Sequence, residues 1–243
     1  MNGMLQNTLN QSRRGVPGCP RGGNRGQRLC GSRQNLPPLL KQIQEYLQTR
    51  NIQCHENVEG EGRAASLMDE GTIKRLLLER FPENTLDQPA RALGDILITD
   101  TDGHIYPVNI KTSLGGIDNA FSKGGFVFAL THLNLDQIPS SMNLIRMKQL
   151  IDENRCDNPM KDYWYLCVDK NTSAVMIRGA KQINHWVVNI NPANILQINW
   201  RLEKNCEPIL QSGDDAYHSL IENGVKKSIM RYQFESIPTA WRI

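Results

Sequence analysis

The stretch GDILITDTDGHIYPVNIKTS, residues 94–113, constrains this chain more than any other. Two apolar runs flank Asp-Thr-Asp-Gly at 100–103, residues that tolerate the backbone angles of a tight turn, so the segment is a β-hairpin. Its strands also carry polar groups that a hairpin does not need: Asp95 at the entry, Asn109 and Lys111 near the exit. A two-residue loop places Asp95 opposite Ile110, a three-residue loop opposite Asn109, and a four-residue loop opposite Val108. Every register brings Asp95 beside the Asn-Ile-Lys segment. Asn109 and Lys111 are two apart, so both point to one face of the sheet.

That combination suits phosphodiester hydrolysis, which needs a hard cation held by oxygen ligands to activate water and neutralise growing negative charge. Asp95 offers a carboxylate, Asn109 an amide oxygen and Ile110 a backbone carbonyl. Lys111 can orient the attacking water or stabilise charge on the phosphate. The plainer alternative is that Lys111 reaches solvent from a strand end and Asp95 caps the preceding turn. Asp100 and Asp102 are accounted for by the turn itself, although either offers a further acid.

The elements around the hairpin follow from periodicity. LPPLLKQIQEYLQTR places Leu39, Leu40, Ile43 and Leu47 at helical spacing, and SLMDEGTIKRLLLERF is a second helix ending before Pro82. GGFVFALTHLNL, DYWYLCVDK and SAVMIRG read as strands, with a helix expected over 141–155. From Ile183 onward the chain is Asn-rich and mixed. Helix, hairpin, strand, helix, strand implies an α/β or α+β fold, a mixed β-sheet flanked by helices. Residues 1–35 are rich in Gly and Arg and contain no acid, which reads as a basic leader unable to bury enough surface to order itself. Residues 36–243 then form a single domain.

Asp95, a gap, then Asn109-x-Lys111 resembles the PD-(D/E)xK motif of type II restriction endonucleases. Gly94 stands where the family often has Pro, and Asn109 where it has an acid. Some restriction enzymes also use Asn there, and an amide is a weaker ligand than a carboxylate. NIKTS followed by FSKGGFVFALTH is similar to the arrangement in EcoRV-like members, where IKTT precedes a Gly-Gly-aromatic stretch. The likeness spans about residues 65–135. It implies a restriction-endonuclease-like core, Mg2+ as cofactor, and a Glu on the helix before the hairpin near the metal, Glu70 or its rival Glu79. It also implies double-stranded DNA as partner, a homodimer in which each subunit cuts one strand of a short palindrome, and a cognate DNA methyltransferase as genetic partner. The expectation extends to blunt cutting at GGNNCC, which no residue derives. A repair or junction-resolving nuclease of the same fold, and a DNA-binding protein whose cleavage site has decayed at Asn109, are the competing readings.

Base recognition needs Asn, Gln, Arg, Lys or Ser on loops that reach groove edges. Asn119, Ser122 and Lys123 fit, beside glycines that allow close backbone approach, as do Asn184, His185, Asn189, Asn191 and Asn194. Asn serves turns and caps equally well. Lys226, Lys227 and Arg231 can grip phosphates or simply solvate a helix face.

Composition is compatible with this reading without demanding it. The formal charge is +3, mildly basic. No apolar run is long enough for a membrane span, and no signal-peptide core is seen, so a cytoplasmic location is expected. Cys19, Cys30, Cys54, Cys156, Cys167 and Cys206 contain no CxxC pair, and the histidines form no HExxH, which disfavours a zinc site or a disulfide framework.

Overall fold

The hairpin forms with the three-residue turn. In a computed structural model of the chain, β2 (Ile96–Thr99) pairs antiparallel with β3 (Ile105–Ser113), and Ile96 stands opposite Val108 and Thr99 opposite Ile105. Carried one step further, that register sets Asp95 opposite Asn109. The structure describes residues 36–55, 62–89, 92–189, 195–227 and 229–230. These fall in one compact unit, Gly31–Ile243, and the expected leader, residues 1–35, lies outside the described residues.

Preceding the hairpin are α1 (Pro38–Thr49), α2 (Gly62–Arg80) and the short strand β1 (Thr85–Asp87). After it come β4 (Ile117–Asn119), α3 (Lys123–Leu130), α4 (Leu144–Asn154), β5 (Trp164–Asp169) and β6 (Val175–Gly179). The main sheet has the order β1-β2-β3-β5-β6, with β3 and β5 parallel and the other pairs antiparallel. The fold is therefore the mixed α/β arrangement expected. Every residue of β5 is buried, as a central strand covered on both faces must be.

Alternation along β2 and β3 sends their side chains to two different cores. Ile96, Ile98, Tyr106, Val108 and Ile110 pack with Leu40, Ile43 and Leu47 of α1 and Ile73 and Leu77 of α2. The opposite face carries Asp95, Asn109 and Lys111, together with Tyr165 and Cys167, which pair with the latter two across β3–β5. Tyr165 and Cys167 belong to a second core built with α3 and α4.

One element differs from expectation in kind. GGFVFALTHLNL is not a strand: α3 occupies Lys123–Leu130, begun by Ser122, whose hydroxyl accepts from the backbone N–H of Gly125 at 3.0 Å. Gly125 through Leu130 are all buried, so the helix is apolar all round and shows no helical stripe. A short, wholly apolar run looks alike as buried helix or buried strand. The Asn-rich section folds too. β7 (Trp186–Val188) and β8 (Leu196–Asn199) join β4 in a three-stranded sheet, followed by α5 (Trp200–Glu203), then α6 (Gly213–Tyr217) continuing as a π-helical stretch over His218–Val225. No helix among the described residues is long and apolar enough to cross a membrane.

Candidate active site

The polar groups of the hairpin meet at one end of the main sheet, where β1 finishes, β2 begins and the second half of β3 passes. Asp95, Asn109 and Lys111 line a cavity of about 430 Å3 together with Glu70 and Lys74 of α2, Gln88, Asn119, Ser122 and Tyr163. Helix α2 reaches this end because Asp69, Ile73 and Leu77, spaced four apart, form its buried stripe. Glu70 and Lys74 sit one residue further round, at the border of that stripe.

Asp95 is held by its neighbours in the hairpin. Its backbone N–H donates to the Val108 carbonyl at 2.8 Å, and its Oδ2 accepts from the N–H of Ile110 at 2.6 Å. Gly94 sits so close to β3 that an added Cβ would lie 2.9 Å from the Val108 carbonyl oxygen. A side chain at 94 is excluded by backbone contact. The pKa of the Asp95 carboxyl is nevertheless raised from its ordinary value. Burial is the main cause and the charge of Glu70 adds to it, while the Ile110 N–H and the ammoniums of Lys111 and Lys74 act the other way. Two carboxylates thus repel across a partly dry cavity, an arrangement that a cation relieves.

Asn109 presents its amide differently from an ordinary strand residue. Its Oδ1 is buried without a hydrogen-bond partner, and Asn109, Ser122 and Tyr163 line the same cavity. An orphaned amide oxygen beside two carboxylates is an all-oxygen donor set, which matches a hard divalent cation such as Mg2+. On this chemistry Asp95, Asn109 and Glu70 fit the ion. Ile110 turns its side chain into the opposite core and contributes its N–H to Asp95.

Between the two glutamates, only Glu70 lines the cavity. Glu79 is exposed and pairs with Arg75 at 3.0 Å. Asp100 and Asp102 lie at the far end of the hairpin. Asp100 accepts from the backbone N–H groups of Asp102 and His104, both at 2.9 Å, and from the Tyr106 hydroxyl at 2.6 Å. With His104 these acids form a cluster compact enough to hold a metal, but Asp100 is already spent on the turn.

The expected DNA-reading residues divide into groups. Asn119 and Ser122 line the cavity, and Lys123 lines a neighbouring cavity of about 650 Å3, its ammonium donating to the Met142 carbonyl. The glycines next to Lys123 serve packing: a Cβ on Gly125 would lie 2.6 Å from the Tyr163 ring, and one on Gly124 2.6 Å from Leu93. Asn184 and His185 stand apart from this cavity, their backbone N–H groups both donating to the buried Glu203 at 3.1 Å. Asn189 donates to Gln197 at 2.9 Å. Lys226 pairs with Glu222 at 2.9 Å and Lys227 is exposed. Asn191, Asn194 and Arg231 lie outside the described residues.

Three residues of the cavity lining named above, Lys74, Gln88 and Tyr163, went unread in the sequence. Lys74 had a signal, the i,i+4 spacing from Glu70, which gives ion pairs on helices. Tyr163 had none, because its role depends on α3 packing against it. No protein-family model matches the chain, and no curated protein is detectably similar to it in sequence.

Proposed function

We propose that the chain is a Mg2+-dependent, site-specific deoxyribonuclease of PD-(D/E)xK type, cutting double-stranded DNA in a restriction system. The observation that carries this reading is the convergence of Asp95, Asn109, Glu70 and Lys111, from three separate segments, on one polar cavity. Mg2+ bound there supplies charge neutralisation at the phosphate and acidifies water.

The chain's own residues do the rest. Asp95, pinned through Oδ2 by the Ile110 N–H, keeps a fixed carboxylate at the cavity wall. Asn109 lines the cavity with an Oδ1 that no protein group engages, and that amide oxygen is the ligand atom it would offer. Lys111, on the same face as Asn109, places an ammonium where it steadies a water or the developing charge on the scissile phosphate. Asn119 and Ser122, which line the same cavity, are the candidate DNA-reading contacts. A homodimer brings two such sites to the two strands of a palindrome, and a partner methyltransferase protects host DNA.

Incubation of the purified protein with phage DNA and Mg2+ tests the reading. Discrete, reproducible fragments that vanish with a chelator are expected. Structure-dependent cuts instead point to a repair or junction nuclease, and a gel shift without cleavage overturns the enzymatic reading.

A further inference from the structure

Lys74 is the cavity's least explained charge. Its ammonium lies 3.0 Å from Glu70 and 3.1 Å from Asp87, and only 17% of its side chain is exposed. A solvated i,i+4 pair on a helix face does not look like this. Such a pair is open to water and contributes little, as Arg75 and Glu79 do one turn on, both about three-fifths exposed. Lys74 instead bridges α2 to the end of β1 while facing the site.

Charge counting gives that bridge a consequence. Glu70 and Asp95 bring two negative charges to the cavity, and Lys74 and Lys111 bring two positive ones. A divalent cation approaching this set finds the lining charges balanced, with one further negative charge, Asp87, beside Lys74. It also finds Glu70 already engaged. We infer that Lys74 is the resident counter-ion of the site: it holds Glu70 until a divalent cation takes that carboxylate over, and so sets the concentration at which the cation binds. Asp87 completes the device, since it gives the ammonium a second carboxylate on which to rest once Glu70 is released. This inference rests on the metal-binding reading proposed above and adds a control to it.

The test is Mn2+ binding to the DNA-free protein, followed by calorimetry, with circular dichroism to establish that each variant is folded. Lys74→Met leaves the cavity with a net negative charge, and Mn2+ should bind about tenfold more tightly or better than to the wild type. Asp87→Asn, which leaves Lys74 with Glu70 alone, should weaken binding several-fold in the wild type and change nothing in the Lys74→Met background. Charge alone would give the opposite signs even for a purely structural bridge, but not the silence of Asp87→Asn when Lys74 is gone. Wild-type affinity in Lys74→Met, or an equal Asp87→Asn effect in both backgrounds, overturns the inference while leaving the metal site standing. Absence of Mn2+ binding in both wild type and Lys74→Met overturns the metal reading and the inference with it. Should Lys74→Met fail to fold, Lys74→Gln and the single Asp87→Asn variant carry the same test.

Discussion

The Asp95 carboxylate accepts the backbone N–H of Ile110 at 2.6 Å, so the hairpin's own ladder holds the side chain that enters the cavity. Because Ile110 lies between Asn109 and Lys111, this bond ties the acid to the strand that carries its two polar partners.

Replacing Asp95 or Lys111 by Ala should abolish cutting while leaving DNA affinity within about tenfold, ~1.4 kcal/mol. The reason is that phosphate and base contacts are spread over many residues, whereas these two serve the reacting group. Cleavage and gel-shift assays on the same preparations separate the effects, and wild-type turnover in either variant excludes this site.

Asn109→Asp should remain active and bind divalent cations more tightly. A carboxylate is a stronger ligand than the amide oxygen it replaces, and the orphaned position of Oδ1 means that no protein hydrogen bond is lost there. Metal titration of cleavage reads the change. Complete inactivity would show that the amide itself is indispensable.

Gly125→Ala should destabilise the fold by about 1–3 kcal/mol, the usual cost of overpacking. The new methyl would meet the buried Tyr163 ring at 2.6 Å, so the ring or α3 must shift. A urea denaturation midpoint measures the loss. Because Tyr163 lines the cavity with Asn109 and Ser122, cleavage should fall by more than the unfolded fraction accounts for.

The pH dependence of stability should carry a signature of Asp162. This residue is fully buried and its carboxyl is pushed up to about 6, chiefly by burial, against the opposing pull of the Lys181 ammonium and backbone N–H groups. The folded state therefore holds this proton more tightly than the unfolded chain does. Its contribution is most favourable below about pH 4, worsens as pH rises, and levels off above about 6, a change on the order of 3 kcal/mol. Asp162→Asn removes the titration, so its stability relative to the wild type should climb across that window. Denaturant melts at several pH values check this, and a pH-independent difference would contradict it.

The hairpin was legible from end to end. Period-two alternation and the Asp-Gly turn set which side chains share a face, and any register placed Asp95 near Asn109 and Lys111. Strand β6 and helices α1 and α4 were legible for the same reason, since each carries a strong local pattern, whereas β5 is buried along its whole length and has no alternation to reveal it. Helix α3 was not, because a segment buried on all sides loses the polar face that would reveal its period. Strands β7 and β8 were hidden by their Asn-rich, mixed composition.

The sequence by itself determined the chemistry available at the sheet end: one acid, one amide and one ammonium on neighbouring strands, placed by rules that reach only a few residues. Only the tertiary structure decided which helical glutamate joins them, that Lys74 comes with it, and that Tyr163 lines the same cavity. Those choices depend on how α2 and α3 pack against opposite faces of one sheet. Packing between segments distant in the chain leaves no periodic trace in either of them.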